Sequence, residues 1–259
     1  MGLALGMAAR ELGRGLLDLM APLACLRCGE LLFDRWEPFC PSCVETVRWI
    51  DGACRSCATP ILNSRHPADS SNSRPIVERC GACVRRLRFH RTAVVAGRYE
   101  GLLRDLVIAH KFEREQAASR YLAQVLWGLW ERELEADPGL GDSPWVVTAV
   151  PQHWTRTLYR GSEPAEHLAR EFCRLSGFPF RVLLTKTRAT CAQVELSRSA
   201  RLTNLRGAFR RRWDFWRSQP SHVILIDDVV TTLSTASECS RALKRSGTPA
   251  VWVLAVARS

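Results

Sequence analysis

Cysteine is the residue type whose spacing in this chain points most clearly to chemistry. Eight of the eleven cysteines form four pairs, each with two residues between the thiols. The pairs are Cys25/Cys28, Cys40/Cys43, Cys54/Cys57 and Cys80/Cys83. Two such turns aim four sulfurs at one ion about 2.3 Å away, which is the ligand set of a structural zinc site. Pairing in sequence order therefore predicts two zinc sites, each closed by four thiolates.

Three other uses of these cysteines compete with zinc. Disulfides need an oxidising compartment, and no export signal is evident because Glu11, Arg14 and Asp18 interrupt the apolar run of the N-terminal segment. A redox motif would be a single C-x-x-C beside a strand–helix–strand unit, not four in succession. An iron–sulfur cluster also takes four cysteines, and spacing alone does not exclude it. Zinc is the favoured assignment.

A second group of reactive side chains follows a short apolar run near the C-terminus. Asp227 and Asp228 come directly after the run His222–Ile226, and hydroxyl side chains follow at Thr231, Thr232, Ser234 and Thr235. Adjacent carboxylates suit hydroxyl groups or a magnesium-bound ligand, and a hydroxyl-rich turn at a helix start suits a phosphate. Each half alone is common as simple capping. The combination of strand, acidic pair, hydroxyl turn and helix favours a ligand site.

Alternating strands and helices after residue 90 would position this junction. Apolar runs predict strands at Arg91–Arg98, Trp145–Val150, Arg181–Leu184, His222–Ile226 and Ala250–Val256. Helical periodicity predicts helices at Gly101–His110, Ala117–Leu134, Ala165–Leu175, Ser199–Leu205 and Thr235–Arg245. This alternation predicts an α/β fold with a largely parallel sheet flanked by helices. Ligands of such sheets bind at the carboxyl ends of the strands, where the acidic pair lies.

The composition is that of a globular protein and excludes disordered and fibrous classes. The chain has 259 residues, of which 46% are hydrophobic and 24% charged. We predict an amphipathic helix at residues 1–22, a double zinc ribbon at 23–90 and an α/β domain at 91–259. No segment reaches the roughly 18 apolar residues of a membrane span, which predicts a cytoplasmic protein. The formal charge of +11 favours phosphate-rich partners.

Four segments resemble a known family. The segment HVILIDDVVTTLSTASECSRAL resembles the phosphoribosyl pyrophosphate (PRPP) motif of type I phosphoribosyltransferases. Three others resemble the ComF family: AHKFERE, VPQHWTRTLYRGSEPAEHLAR and TCAQVELSRSARLTNLRGAF. A cysteine-rich ribbon ahead of such a domain is also typical of that family. The resemblance covers nearly the whole chain and implies a type I phosphoribosyltransferase-like fold, with a link to DNA uptake in natural competence.

The resemblance also implies roles for individual residues. It assigns Asp227 and Asp228, the candidate catalytic pair, to the ribose hydroxyls or their magnesium. The residues that would surround the 5′-phosphate are Thr231, Thr232, Leu233, Ser234 and Thr235. Those that would lie toward the pyrophosphate are Lys111, Arg156 and Arg160. The implied ligands are zinc in two structural sites, and PRPP with magnesium.

Two positions depart from the family's pattern. Leu233 stands where the phosphate loop normally has glycine, and a side-chain-bearing residue held left-handed costs roughly 1 to 2 kcal/mol. That strain alone would weaken PRPP binding roughly five- to thirty-fold. Glu163 replaces an amide, and its carboxylate would repel pyrophosphate if it faces inward.

Two functions from different classes fit these features. The first is an enzyme that binds PRPP with magnesium and transfers the phosphoribosyl group to an unidentified acceptor. The second is a binding module with a degenerate phosphoribosyl site, whose ribbons and basic surface contact single-stranded DNA or a DNA-uptake partner. The run Arg210–Arg212, flanked by Trp213 and Trp216, is one candidate surface for stacking bases. The acidic pair favours the enzyme, and Leu233 favours the binding module.

Overall fold

The chain divides into two compact units, Met1–Val47 and Arg48–Ser259. The computed structural model describes residues 24–32, 38–61, 79–85, 88–113, 116–152, 163–188, 205–212 and 218–259. The first unit contains the first two cysteine pairs, and the second contains the last two pairs and every element of the sheet. The predicted N-terminal helix lies outside the described residues. The domain boundaries expected at residues 22 and 90 stay predictions.

The helices and strands follow the predicted alternation. In chain order they are α1 Pro41–Val44, α2 Gly81–Val84, β1 Thr92–Arg98, α3 Gly101–Ile108, α4 Gln116–Ala136, β2 Trp145–Ala149, α5 Pro164–Ser176, β3 Leu184–Lys186, β4 Phe209–Arg211, β5 His222–Val230, α6 Ser234–Arg245 and β6 Ala250–Arg258. A π-helical turn at Ala109–Glu113 follows α3, and a 3₁₀ turn at Pro138–Leu140 follows α4. The helix predicted at Ser199–Leu205 lies almost wholly outside the described residues. Within the described ranges, no helix combines the length and the apolar composition that crossing a bilayer requires.

The main sheet has four strands, all parallel, in the order β1-β6-β5-β2. The central strand β6 is buried along eight of its nine residues. A continuously apolar strand of this kind must be covered on both faces, as parallel sheets are. The prediction of a parallel sheet flanked by helices is confirmed. The strand predicted at 181–184 is displaced, because β3 begins at Leu184 and pairs antiparallel with β4 in a separate two-stranded sheet.

Two different layers cover the sheet. On one face, Ala236, Cys239 and Leu243 of α6 lie in the same apolar core as the inward residues of β5 and β6. On the other face, Trp130 of α4 packs edge-to-face against Trp145 and Trp252, with ring centroids 4.9 and 5.4 Å apart. Because successive strand residues point to opposite faces, adjacent residues near the end of β5 meet different layers.

The second pair of cysteine turns is part of this core. Cys54, Cys57 and Cys83 are buried together with residues of the sheet. The segment after Arg48 covers the outer edge of β1, where the Arg98 amide donates to the Arg48 carbonyl over 2.9 Å. A Cβ atom at Gly97 would lie 2.8 Å from the same carbonyl oxygen, so only glycine permits this approach.

Candidate functional site

The first cysteine cluster brings four thiols together in the first unit. Cys25 and Cys28 lie on a tight turn, and Cys40 and Cys43 lie at the start of α1; their four Sγ atoms are all within 4.8 Å of one another. The Sγ atoms of Cys28 and Cys40 are 3.6 Å apart. Sulfurs placed tetrahedrally around zinc at about 2.3 Å are about 3.8 Å apart. These thiols therefore already have the spacing of a zinc site.

The second cluster has the same arrangement in the second unit. Its ligand atoms, from Cys54, Cys57, Cys80 and Cys83, also lie within 4.8 Å of one another. The Sγ atoms of Cys57 and Cys80 are 3.7 Å apart. A four-iron cluster places each sulfur on a different iron and would hold the sulfurs farther apart, so the geometry fits a single ion better. The grouping follows sequence order, and each set of four thiols could hold one zinc ion.

The two clusters are built by the same local geometry. Short antiparallel bridges join Ala24 to Leu31 and Ala53 to Pro60 around the first turn of each cluster. The residue after the second cysteine of each turn has positive φ, Gly29 at 77° and Ala58 at 53°. The glycine at position 29 indicates such a conformation in the sequence. The alanine at position 58 does not, because alanine rarely adopts a positive φ.

One thiol in each cluster ionises near neutral pH. Burial opposes ionisation of Cys25, but backbone amides of Cys40, Cys28 and Arg27 favour the thiolate and lower the pKa of Cys25 to about 6. In the second cluster, burial is outweighed by hydrogen bonds from the hydroxyl and amide of Thr59, and the pKa of Cys57 falls to about 7. A divalent ion could bind these thiolates first, since the thiolate is the metal-binding form.

The acidic pair lies inside β5 rather than after it. The strand continues to Val230, so Asp227 and Asp228 point to opposite faces of the sheet. Asp228 is 6% exposed, and its Oδ2 lies 2.9 Å from Nζ of Lys111. Asp227 faces the α6 side, where it acts electrostatically on Cys239. Burial and the neighbouring Asp228 raise the pKa of Asp227 to about 8.

Lys111 is brought to this pair by the π-helical turn after α3. The resemblance predicts that Lys111 lies toward the pyrophosphate, and this stays a prediction. In the structure its ammonium group contacts Asp228, and the two side chains are 20% and 9% exposed. The sequence signal for this contact was the motif AHKFERE, but nothing in the motif identified Asp228 as the partner.

The turn between β5 and α6 carries the hydroxyl groups that the sequence predicted for a phosphate site. The hydroxyl oxygens of Thr232 and Ser234 are 2.8 Å apart. Leu233 adopts φ 56° and ψ 17°, the left-handed conformation that glycine would adopt without strain. Its side chain is 2% exposed and packs in the apolar core. Leu233 therefore strains the backbone of the turn without placing its side chain over it.

A cleft of about 350 Å³ opens in the second unit beside the carboxyl end of β2. Its lining residues are Thr148, Ala149, Pro151, Gln152, Glu163, Glu166, Phe180, Val182, Leu184, Thr185, Lys186 and Arg212. The acidic pair and the 231–235 turn are not among these residues. The Val150 amide donates to the Ile226 carbonyl over 2.9 Å, so the cleft lies one strand away from Asp227.

Several sequence-predicted residues lie outside the described ranges. These are Arg156, Arg160, Trp213 and Trp216. The arginine run at 210–212 is described, and it behaves as a strand: Arg211 is 9% exposed, whereas Arg210 and Arg212 are exposed. Only part of that run is therefore available to a partner.

Relatives of known name match nearly the whole chain. The DNA utilization protein YhgH of Salmonella typhimurium is 30% identical over 244 residues, which cover 93% of this chain and 99% of that protein. The chain belongs to the ComF family. YhgH of Escherichia coli is 28% identical over 247 residues with the same coverage. Competence protein F of Haemophilus influenzae is 27% identical over 211 residues, covering 81% of this chain and 91% of that protein. No family model matches the chain.

The architecture agrees with membership of the ComF family. Two cysteine tetrads precede or border a parallel sheet with helices on both faces, as the resemblance to a type I phosphoribosyltransferase-like fold implies. An allosteric regulatory enzyme of purine biosynthesis is structurally similar with a TM-score of 0.36, 15% identity and coverage of 57% of this chain and 30% of its own. A glutamine PRPP amidotransferase from B. subtilis gives a TM-score of 0.35 and 14% identity at the same coverage. Scores this low decide nothing about the fold, which rests on the sheet and the family.

Proposed function

We propose that the second unit binds PRPP or a related phosphoribosyl ligand, with magnesium, where β5 leads into α6. The observation that carries this proposal is the continuous sequence of Asp227, Asp228 and the hydroxyl turn 231–235 at one strand end. Carboxylates at that position suit the ribose hydroxyls. The turn supports phosphate binding because the first amides of a helix are free to donate and attract anions.

Magnesium fits the chemistry of this donor set. The ion prefers carboxylate oxygens together with substrate phosphates, and Asp227 and Asp228 supply the carboxylates. A bound magnesium ion would neutralise diphosphate charge. Lys111 contacts Asp228 and offsets part of the negative charge of the acidic pair.

The corresponding reaction is transfer of the phosphoribosyl group. The bond from C1′ to the pyrophosphate oxygen breaks, pyrophosphate leaves with the bonding electrons, and an acceptor forms the new bond to C1′ while losing a proton. The protein's contribution would be fixed charge and position rather than a nucleophile of its own. The acceptor is not specified by the residues around the acidic pair.

Calorimetric titration with PRPP tests this proposal. We expect binding to the full chain to require magnesium and to be weakened at least tenfold in Asp228→Asn and in Asp227→Asn, because each change replaces a carboxyl group that can ionise beside magnesium with an amide that cannot. Glu238→Gln is the matched control, since Glu238 lies on α6 and pairs with Arg241 instead. Absence of heat from the unmodified protein at millimolar PRPP would refute phosphoribosyl binding.

The names of the relatives support a role in DNA use. We infer that this chain, like its ComF relatives, takes part in DNA utilisation or uptake, and that both cysteine clusters hold structural zinc. The eight paired cysteines are free thiols in the structure, and free thiols persist in reducing compartments, which supports a cytoplasmic location.

Contact with single-stranded DNA is the second candidate function. Trp49 is 43% exposed where it pairs with Gly97 of β1, and the adjoining residues Arg48 and Arg98 are also exposed. An exposed indole stacks on a base of any type, and nearby arginines neutralise phosphates. This surface supports DNA binding without requiring the phosphoribosyl site.

A further inference from the structure

We propose that His110 is a positioning residue that holds Lys111 against the acidic pair, an inference that rests on the phosphoribosyl site proposed above. His110 precedes Lys111 on the π-helical turn Ala109–Glu113. Lys111 Nζ is 2.9 Å from Asp228 Oδ2. His110 acts through Lys111, so it is not itself a catalytic residue.

The imidazole of His110 is bonded at both nitrogens. Nε2 lies 2.9 Å from the carbonyl oxygen of Pro164, and Nδ1 lies 2.8 Å from Oγ of Ser119. A carbonyl only accepts, so Nε2 carries the hydrogen and Nδ1 of the neutral ring accepts from the Ser119 hydroxyl. Burial lowers the pKa of His110 and keeps the ring in this neutral form. The pattern fixes both the tautomer and the orientation of the ring.

These two bonds tie the turn to two helices. Ser119 lies in the first turn of α4, and Pro164 is the first residue of α5. His110 is 4% exposed between them. A π-helical turn is rare, and it persists where surrounding contacts hold it. Without the anchoring bonds, the turn would relax toward α-helical geometry and change the direction in which Lys111 points.

Lys111 adds a positive charge beside the acidic pair. Its ammonium group is the positive charge in direct contact with Asp228 among the described residues. A cation that approaches the pair must displace this ammonium group, whereas an anionic phosphate gains from it. By holding Lys111 in place, His110 thereby lowers the affinity for a free divalent cation and raises the affinity for a phosphoribosyl ligand.

A double-mutant cycle in the full-length protein tests this inference. The variants are His110→Leu, Ser119→Ala, Lys111→Met and the two combinations with Lys111→Met. The probes are Mn²⁺ alone, followed by electron paramagnetic resonance, and PRPP with Mg²⁺, followed by calorimetry. We expect Lys111→Met to tighten Mn²⁺ binding roughly tenfold, and His110→Leu or Ser119→Ala to tighten it roughly three- to tenfold.

In the Lys111→Met background, His110→Leu and Ser119→Ala should change Mn²⁺ affinity less than about twofold, because the group through which they act is gone. His167→Leu is the matched control. His167 stacks on His110 at 5.8 Å, is 44% exposed on its side chain and contacts Glu171 rather than the acidic pair. It should leave Mn²⁺ affinity unchanged.

The inference would be overturned if His110→Leu and Ser119→Ala kept their full effect on Mn²⁺ affinity in the Lys111→Met background. Unchanged Mn²⁺ affinity in folded Ser119→Ala and His110→Leu would also overturn it. So would the absence of Mn²⁺ binding to every variant. Ser119→Ala removes the hydroxyl that contacts Nδ1 of His110, and it decides the outcome if His110→Leu fails to fold. Failure of the unmodified protein to bind PRPP would refute the proposed function alone, because the Mn²⁺ measurements still decide the role of His110.

Discussion

Leu233 combines a left-handed backbone with a buried side chain. Its φ of 56° is unfavourable for any residue except glycine, by roughly 1 to 2 kcal/mol. Burial of the leucine side chain contributes about 2 to 3 kcal/mol and outweighs this strain. Leu233, at the position where the resemblance predicts glycine, thus stabilises the core at the cost of backbone strain in the turn.

The competition at Leu233 predicts an unusual order of stabilities. Leu233→Ala loses the buried side chain and keeps the strain, so the free energy of unfolding should fall by about 2 to 5 kcal/mol. Leu233→Gly loses the same packing but relieves the strain, so it should be about 1 kcal/mol more stable than the alanine variant. Urea denaturation of both variants measures the difference. An alanine variant more stable than the glycine variant would contradict a strained turn.

Sequence patterns predicted individual residues best where the chemistry is local. The eight paired cysteines, the acidic pair and the special position of Leu233 all follow from short motifs. The contact between Lys111 and Asp228 joins residues 117 positions apart and depends on a π-helical turn, for which no sequence signal exists. Ala58 was equally hidden, because its positive φ is imposed by the cysteine turn around it.

At the scale of elements, the sequence predicted which helices and strands exist better than it predicted where they begin and end. The apolar run at His222–Ile226 predicted β5, but the strand extends through the two aspartates to Val230 because β6 continues to pair with it. Periodicity cannot detect a strand that carries charge at its carboxyl end. The β3 and β4 pair was missed as a separate sheet, since three-residue strands are too short to show alternation.

The two cysteine clusters should differ in their effect on the sheet. Cys54 is fully buried in the core of the second unit, whereas Cys25 belongs to the first unit. Cys54→Ser should remove about one of two zinc ions and destabilise the sheet by several kcal/mol, because structural zinc contributes folding free energy directly. Cys25→Ser should also remove about one zinc ion but leave the unfolding transition of the sheet unchanged.

Metal analysis by mass spectrometry and tryptophan fluorescence during urea unfolding, to which the core residues Trp130, Trp145 and Trp252 contribute, measure these effects. Equal destabilisation by the two variants would show that the clusters are not independent. Iron in place of zinc would contradict the metal assignment.

At the scale of the whole molecule, the formal charge of +11 favours polyanions, but it does not locate a binding surface. We expect a fluorescent oligothymidine to bind more weakly as the salt concentration rises. The logarithm of the binding constant should fall with the logarithm of the salt concentration, with a slope of about −0.7 per phosphate contact. Trp49→Ala should weaken binding roughly tenfold without changing this slope, since stacking involves no counterion release. Arg48→Ala with Arg98→Ala should reduce the magnitude of the slope by about 1.4.

Fluorescence anisotropy at several salt concentrations measures both quantities. Leu175→Ala is the control for loss of an exposed apolar side chain, because Leu175 is 44% exposed on α5. A similar loss of affinity in Trp49→Ala and Leu175→Ala would contradict a stacking role for Trp49.

The burial of Cys54, Cys57 and Cys83 among sheet residues constrains how such a chain can change over evolutionary time. A lineage that lost these thiols would have to refill the interior with other side chains in the same steps, or lose the sheet. The four paired cysteines of the first unit lie outside the unit that contains the sheet, so we expect selection to discard, exchange or fuse that part of the chain more readily.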